Sequence, residues 1–529
     1  MAQATDGHKR GPSLVSGYLP LLIGAAVIVA MVLVVPSEVP GNGTATAGTV
    51  PDIADDGAIG TPASGWGESV TPCADQPQQA ESGYAPPCFA FTGDNGGATS
   101  PGVTADTIDV TYRYLADNHL LATLGALANL QLDEDAEDLY RTTEGLVEYF
   151  NQNFQFYGRR INLDRYAGNG SALTELSGGG REDAVNDALT VADRDTFADI
   201  GSGLATGQIY AESLAAEGII SFGAGYLSRE WFDLQGPHAW SLFPDCTRVA
   251  EVNSQVGIEV LLRETAIMAG GDLAGLPRRL GIIYPDSAEY TRCAEHAIAA
   301  FEEAGIETHV QNYTLNLGQT AAVAPSILAQ LRDNDITSVA CACDPLMQRD
   351  LANLAEQQGY EPEWLIQGVG YIDLDLVGQL MAFGSGDQWT RAFGGSPTGA
   401  QPPWTTSEGY LAYRSVRADE PSKVVDVIYG QLYRLAIGIQ MAGPDLTPEN
   451  FQTGMYNYPG GTGDLGAWDF APGNHTGVID ARMVMWRPDL RSPFNGEMGT
   501  YIDTGQRFTD ASELPSQEEL LAQLQSVGG

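Results

Sequence analysis

Residues 280–313 read LGIIYPDSAEYTRCAEHAIAAFEEAGIETHVQNY and contain one complete strand–helix–strand unit. The short apolar segment from Leu280 to Tyr284 predicts a buried strand. Residues 294–304 have helical spacing and are followed by Gly305, a residue type that commonly ends helices. Residues 307–313 predict the next strand. Two strands joined by a crossover helix form a parallel pair, so this stretch predicts an α/β sheet.

The same alternation continues on both sides of this unit. Downstream, helix and strand patterns alternate at 321–332, 336–342, 347–358 and 364–368. Upstream, strand patterns occur at 108–114, 160–166, 196–200, 219–222 and 239–243, with helix patterns between them at 136–150, 183–191 and 208–217. A long helix at 422–441 and a strand candidate at 478–486 follow. Two such series predict two lobes, each a parallel sheet flanked by helices.

The first 36 residues predict where the protein resides. An apolar run covers residues 18–35 and is closed by Pro36; at about 1.5 Å per residue it reaches roughly 27 Å, enough to cross a hydrocarbon core. Basic residues precede the run and acidic residues follow it, which places the N-terminus inside and the body outside. We therefore expect a cytoplasmic tail at 1–17 and a membrane-spanning signal anchor at 18–36. The alternative is a signal peptide cleaved near Ala45-Thr46-Ala47, which would give a secreted protein.

The six cysteines are an even number, as expected in an oxidising exterior. Cys73 and Cys88 enclose a short polar loop within the linker at 37–100, and we expect them to pair. The other four leave three pairings open: Cys246, Cys293, Cys341 and Cys343. The last two alternate on one predicted strand, so they share a face and each could reach a different partner.

Charge and motifs exclude several classes of function. The 529-residue chain has 68 acidic and 26 basic residues, a net charge of −42, and such a field repels nucleic acid. The acidity indicates a solvated surface or, alternatively, attraction of a cationic ligand. None of the six histidines has a partner at metal-ligand spacing. The glycine-rich motif at 461–466 lacks the preceding strand and following helix of a dinucleotide site, so we interpret it as a loop. We expect no enzyme activity and no cofactor.

The segment Gly102-Val103-Thr104-Ala105-Asp106-Thr107-Ile108 resembles the opening of the branched-chain amino-acid-binding family, the type 1 periplasmic-binding proteins. Three segments of the second series resemble bacterial ABC-transporter substrate-binding proteins of that family: 282–286, 341–345 and 359–364. Their order and spacing carry the resemblance, which covers roughly residues 102–486.

The resemblance implies a flytrap, in which two α/β lobes close over one small ligand by hinge motion. Lobe one would comprise 101–245 and 396–450, and lobe two with the C-terminal strands 246–395 and 451–529. The expected function is an extracytoplasmic solute-binding protein that captures a small polar ligand for an ABC-type importer. Its partners would be the solute, an ABC permease and the membrane. The alternative is a membrane-tethered sensor or interaction protein with the same fold and no transport role.

Ligands of open parallel sheets bind beyond the carboxyl ends of the strands. In lobe one these ends give the candidates Tyr114, Gly201, Ser202, Gly203, Ser221, Phe222, Gly223 and Tyr226. In lobe two they give Tyr284, Asp286, Tyr290, Asp344, Gly370 and Tyr371. The glycine-rich turn could bind an anion through its N–H groups, although such a turn needs glycine in any case. The aspartates could hold a cationic group, and the tyrosines could cover an apolar or ring-containing ligand.

One segment departs from the family pattern. Amino-acid-binding relatives carry a Ser/Thr-rich turn after the fourth strand, which contacts the ligand's α-amino and carboxylate groups. The corresponding stretch here is Ser221-Phe222-Gly223-Ala224-Gly225-Tyr226, and only Ser221 keeps a hydroxyl near the expected place. We therefore do not predict leucine or related amino acids as the ligand.

Overall fold

The computed structural model describes residues 59–77, 82–116, 134–176, 179–203, 206–367 and 373–527. The predicted cytoplasmic tail and membrane anchor lie outside these residues. Across the described ranges, no helix combines the length and the hydropathy that a membrane crossing requires. The last part of the predicted linker forms an antiparallel hairpin of β1 (Val70–Pro77) and β2 (Pro87–Phe91). The disulfide between Cys73 and Cys88 joins its strands, so this predicted pairing is confirmed.

The first lobe is built on a five-stranded parallel sheet with the order β4-β3-β5-β6-β7. Its strands are β3 (Thr107–Tyr114), β4 (Arg160–Ala167), β5 (Ala198–Asp199), β6 (Ile220–Phe222) and β7 (Ala239–Trp240). The connecting helices are α1 (Ala136–Asn153), α2 (Ala172–Leu176), α3 (Arg181–Ala192), α4 (Gln208–Ala216) and α5 (Arg229–Gln235). The predicted strand–helix alternation is thus confirmed, although β5 and β7 are shorter than their apolar patterns.

The second lobe begins with α6 (Cys246–Val256), which continues into one π-helical turn (Gly257–Leu261). Its parallel strands are β8 (Leu280–Pro285), β9 (Thr308–Tyr313), β10 (Ser338–Cys341), β11 (Glu363–Ile366) and β12 (Ala392–Ser396). The helices between them are α7 (Ala288–Glu303), α8 (Thr320–Asp333), α9 (Pro345–Gln358) and α10 (Asp375–Ala382). Helix α7 begins six residues before the predicted start at 294, so Tyr290 and Cys293 lie on the helix rather than in a loop.

After β12 the chain returns to the first lobe. It forms α11 (Glu408–Val416), α12 (Val425–Ala442), α13 (Pro448–Asn457) and a hairpin of β13 (Gly461–Gly463) and β14 (Gly466–Trp468). The interpretation of 461–466 as a loop is therefore wrong, because these glycines form two paired strands. Residues after 450, assigned from the sequence to the second lobe, contribute Phe451, Met455 and Trp468 to the core around the first sheet.

The chain then enters the second lobe for its last strands, β15 (Ala481–Arg491) and β16 (Met498–Phe508), and for α14 (Gln517–Ser526). Strand β15 pairs antiparallel with β12, and β16 pairs antiparallel with β15. The full sheet order is β16-β15-β12-β11-β10-β8-β9. The chain passes between the lobes after β7, after β12 and after β14, and these three connections bring the carboxyl ends of the parallel strands toward one another.

Candidate functional site

The loop after β6 in the first lobe meets the start of α7 in the second lobe. Tyr226 in that loop has a φ of 54°, a left-handed conformation that is unusual for a residue with a side chain. Its ring lies against the ring of Tyr290, with 4.5 Å between centroids and a tilt of 41°. Both tyrosines follow a parallel strand at its carboxyl end, so two of the predicted site residues come together across the lobe interface.

The hydroxyl groups of these tyrosines are available for hydrogen bonding. In the part of the chain that the structure describes, neither hydroxyl has a hydrogen-bond partner. Burial, and to a smaller extent the neighbouring Tyr290, raises the pKa of Tyr226 well above its usual value. Burial likewise raises the pKa of Tyr290, with Asp344 adding to the effect. Both phenols therefore stay protonated at neutral pH and can donate to an acceptor.

A second contact between the lobes lies beside the tyrosines. The backbone N–H of Ser228 donates to the Glu289 carboxylate at 2.9 Å. Both residues are buried, with Ser228 fully enclosed and Glu289 8% exposed. The Ser228 hydroxyl accepts from the backbone N–H of Trp231 and so caps α5. The Glu289 carboxylate of the second lobe thus accepts a hydrogen bond at the N-terminus of α5 in the first lobe.

Helix α6 provides a third contact between the lobes. Arg229 in the first lobe forms a two-pronged ion pair with Glu251 on α6, at 2.8 and 2.9 Å. Its backbone N–H also donates to the Thr247 hydroxyl at 3.1 Å. The disulfide Cys246–Cys293 ties α6 to α7 at the same level. The surface that receives the loop after β6 is therefore fixed covalently.

The remaining cysteines, Cys341 and Cys343, are bonded to each other across Ala342. The expectation that each could reach a different partner is wrong, because their side chains share a face at the end of β10 and are close enough to join. Among the described residues no cysteine is free.

Asp344 at the end of β10 has a structural role in this conformation. Its Oδ1 accepts from the backbone N–H groups of Leu346 and Met347, both at 3.0 Å, and so caps α9. Its Oδ2 accepts from the Tyr313 hydroxyl at 2.6 Å. Burial raises the pKa of this carboxyl group. Asp286, the other predicted cation ligand, is exposed and accepts a hydrogen bond from Thr314.

The predicted anion-binding turn uses most of its donors internally. The N–H of Gly201 donates to Asp199 at 2.7 Å, and the N–H of Gly203 donates to the Ile200 carbonyl at 3.3 Å. The Ser202 carbonyl accepts from Tyr112. Both glycines have left-handed φ values, 57° and 81°, which residues with a Cβ rarely adopt. The turn therefore needs its glycines for shape, and the N–H groups of both glycines donate within the protein.

Beside this turn lies a buried charge network that the sequence patterns did not reveal. Arg113, the last buried residue of β3, makes ion pairs with Glu175 and Asp187 at 2.7 and 2.6 Å. Its guanidinium also lies over the Tyr210 ring. Asp199 is fully buried beside the network, and burial raises its pKa to about 6. The one sequence signal for it was an arginine near the end of a predicted strand.

The other predicted residues are distributed through both lobes. Ser221, Phe222 and Gly223 belong to the sheet or its core: the serine hydroxyl donates to the His238 carbonyl, and the phenylalanine is fully buried. Tyr114 lies beneath the Arg165 guanidinium, 3.7 Å from it. Tyr284 packs in the second lobe's core. Gly370 and Tyr371 lie outside the described residues.

An apolar pocket adjoins the tyrosine pair. It has a cavity volume of about 40 Å³ and lies between α6 with its π-helical turn, α7, and the face formed by β8, β10, β11 and β12. Of the first-lobe residues that the structure describes, Tyr226 alone lines it. Its walls combine residues distant in sequence, so no local pattern predicted it.

Two lobes of helix-flanked parallel strands, joined by three connections, define the fold of the type 1 periplasmic-binding proteins, and solved structures confirm this prediction. A leucine-, isoleucine-, valine-, threonine- and alanine-binding protein from Brucella ovis, in a closed conformation, matches with a TM-score of 0.54 and 14% identity, covering 78% of this chain and 97% of that one. A fatty acid ABC transporter substrate-binding protein from Thermomonospora curvata matches with a TM-score of 0.53 and 16% identity, covering 80% of this chain and 99% of that one.

An ABC transporter substrate-binding protein from Aeropyrum pernix gives a TM-score of 0.51 at 18% identity, covering 80% of this chain and 100% of the other. No protein-family model and no curated protein sequence matches. At such identities the likeness shows the fold, and the ligand has to be argued from this chain's own residues.

Proposed function

We propose that this chain is an extracytoplasmic solute-binding protein that captures a small polar ligand between its two lobes and delivers it to an ABC-type importer, without enzyme activity. The observation that carries the proposal is the pair of Tyr226 and Tyr290. One comes from each lobe, both follow the carboxyl ends of parallel strands, and both have hydroxyl groups without a hydrogen-bond partner in the described structure. A ligand with acceptor atoms would satisfy both hydroxyls and link the lobes.

The importer role is supported by the similar structures from Thermomonospora curvata and Aeropyrum pernix, which are ABC-transporter substrate-binding proteins. The amino-acid clamp is not part of the proposal. Ser221 has the hydroxyl nearest to the place expected for the clamp, and it is buried and donates to the His238 carbonyl within the sheet. The ligand is therefore held differently from an α-amino acid in those relatives.

The location outside the cell is supported by the three disulfides, which persist in oxidising compartments. Attachment through a membrane-spanning helix at residues 18–36, with the N-terminus inside, completes the proposal.

A second candidate, a tethered sensor or interaction protein, is favoured by the direct bonds between the lobes. Glu289 bonds to Ser228, and Arg229 pairs with Glu251. Lobes joined in this way suit a protein that presents one fixed surface to a partner. The two candidates differ in whether a small solute binds.

A thermal-shift screen of the purified full-length chain against amino acids, polyamines, amides and small organic acids tests the proposal. A ligand at 100 times its Kd adds about 2.7 kcal/mol to the folded state, a readable shift. We expect a hit that Tyr290→Phe weakens by removing one hydroxyl. The matched control is Tyr114→Phe, because that ring lies under Arg165 and away from the pair. A folded protein that responds to nothing in the panel would favour the tethered interaction protein.

A further inference from the structure

The pocket beside the tyrosine pair owes its space to small residues on five of the elements that surround it. They are Ala250 on α6, Gly257 in the π-helical turn, Ala297 on α7, Ala340 on β10 and Gly395 on β12. A Cβ on Gly257 would stand 2.9 Å from the Phe301 ring, so glycine is what lets the ring form the end of the pocket. π-Helical turns inside helices are often found at functional sites.

Among the described residues no charged side chain lines the pocket, although the chain carries 68 acidic and 26 basic residues. The polar side chains that α6 contributes to the lining are bonded to backbone carbonyls. The Asn253 amide donates to the Val249 and Gln367 carbonyls, at 2.9 and 3.3 Å, and the Ser254 hydroxyl donates to the Glu251 carbonyl. The interior therefore offers an apolar surface and suits an uncharged hydrocarbon group.

The position of Tyr226 gives the direction of entry. Its ring lines the pocket and also contacts Tyr290 at the lobe interface, so the pocket begins where the proposed ligand site lies. Cys293 lines the wall as well, and its disulfide to Cys246 holds α6 and α7 at a fixed separation. A molecule whose polar end bonds to the two hydroxyls would have its other end directed at this opening.

The size of the pocket limits what can enter. An apolar cavity of about 150 Å³ holds a benzene ring, so a cavity of about 40 Å³ accommodates a short chain of a few methylene groups. A chain of three methylene groups fits this volume, whereas a six-membered ring does not.

We propose that the pocket binds the uncharged end of a straight aliphatic chain of about three carbons, while the polar end of the same ligand stays at Tyr226 and Tyr290. The inference rests on the proposed solute-binding function and names its ligand class: an amphiphilic solute with one polar end and an unbranched alkyl end. Each methylene that enters raises the affinity about fourfold, until the pocket is full.

Calorimetry on the full-length chain with two homologous series tests the inference: straight-chain monocarboxylates from acetate to octanoate, and straight-chain 2-amino acids from alanine to 2-aminooctanoate. We expect about fourfold tighter binding per added methylene over roughly three methylenes in at least one series. Ala297→Leu, which fills the pocket from its α7 wall, should abolish this dependence. Ala299→Leu, on the exposed side of the same helix, is the matched control and should keep it. Ala340→Val is a milder second variant in case the leucine impairs folding.

Affinity that is independent of chain length would overturn the inference and leave the proposed function intact. The same holds if Ala297→Leu and Ala299→Leu behave alike. Failure of every member of both series to bind would also overturn it, and the wider panel of polyamines and amides would then decide the proposed function separately.

Discussion

The ring of Tyr226 in the first lobe lies 4.5 Å from the ring of Tyr290 in the second, and the two residues reach this contact from opposite backbone conformations. Tyr290 lies in the first turn of α7, whereas Tyr226 has a left-handed φ of 54°. Side chains with a Cβ pay about 1–2 kcal/mol for that conformation. Strain of this kind persists where the surroundings enforce it, and it clusters at functional sites.

The strain at Tyr226 predicts that glycine is tolerated better than alanine at this position, the reverse of their usual order in a helix. Tyr226→Gly should leave the protein about 1 kcal/mol more stable than Tyr226→Ala, because both variants lose the ring but only glycine accepts the left-handed φ without cost. Denaturant unfolding of the two variants measures the difference. The same two substitutions at Tyr290 are the control. Tyr290→Ala should be about 1 kcal/mol more stable than Tyr290→Gly, since that residue is helical. Equal stability of both Tyr226 variants would mean that the position is not strained.

Hydrogen exchange can test the bond between Ser228 and Glu289. A hydrogen bond to a charged group contributes about 1.5–3 kcal/mol, so Glu289→Ala should speed exchange of the Ser228 amide by at least tenfold. Loss of the bond should also loosen the lobe interface and increase the radius of gyration in solution scattering. Glu295→Ala, at an exposed position of the same helix, should change neither quantity. Unchanged protection of the Ser228 amide in Glu289→Ala would show that another contact holds the lobes.

The alternation of strands and helices could be predicted from the sequence, but the site only in part. Apolar runs and helical spacing are local properties, and the sheets follow from them. The Gly201 N–H donates to the Asp199 carboxylate two residues earlier, a local bond that the glycine pattern alone does not reveal. The pocket arises where small residues of separate elements, such as Ala250 and Ala297, meet. Glu289 carried no distinguishing signal among 68 acidic residues.

The buried His475 makes stability depend on pH. It lies in the third connection between the lobes, 3% exposed, with its Nε2 3.1 Å from the Tyr456 hydroxyl. Burial lowers its pKa from 6.5 to about 4 and outweighs the Asp233 carboxylate 3.5 Å from Nδ1. A lowered pKa means that the unfolded chain binds the proton more tightly. The contribution is therefore complete above pH 6.5 and is lost as the pH falls toward 4.

His475→Gln should remove this part of the pH dependence. Between pH 7 and pH 5 the wild-type protein should lose about 2 kcal/mol more free energy of unfolding than the variant. Denaturant titrations at both pH values measure it. His296→Gln serves as the control, because that side chain is 45% exposed. A variant with the same pH profile as the wild type would mean that other groups set the acid sensitivity.

The two disulfides of the second lobe should differ in their effect on stability. Cys246–Cys293 closes a loop of 47 residues and Cys341–Cys343 a loop of two. In the chain-entropy description the longer loop contributes about 4 kcal/mol and the shorter about 1 kcal/mol. Double alanine variants, unfolded by denaturant, compare them directly under one set of conditions.

Only the variant that lacks Cys246–Cys293 should also lose the dependence of affinity on alkyl chain length, because that disulfide fixes the two helices that form the pocket's walls. The variant that lacks Cys341–Cys343 controls for the loss of a disulfide in general. If both variants lost equal stability, loop closure would not be the source of the effect. If chain-length dependence survived without Cys246–Cys293, packing alone would suffice to hold α6 and α7 apart.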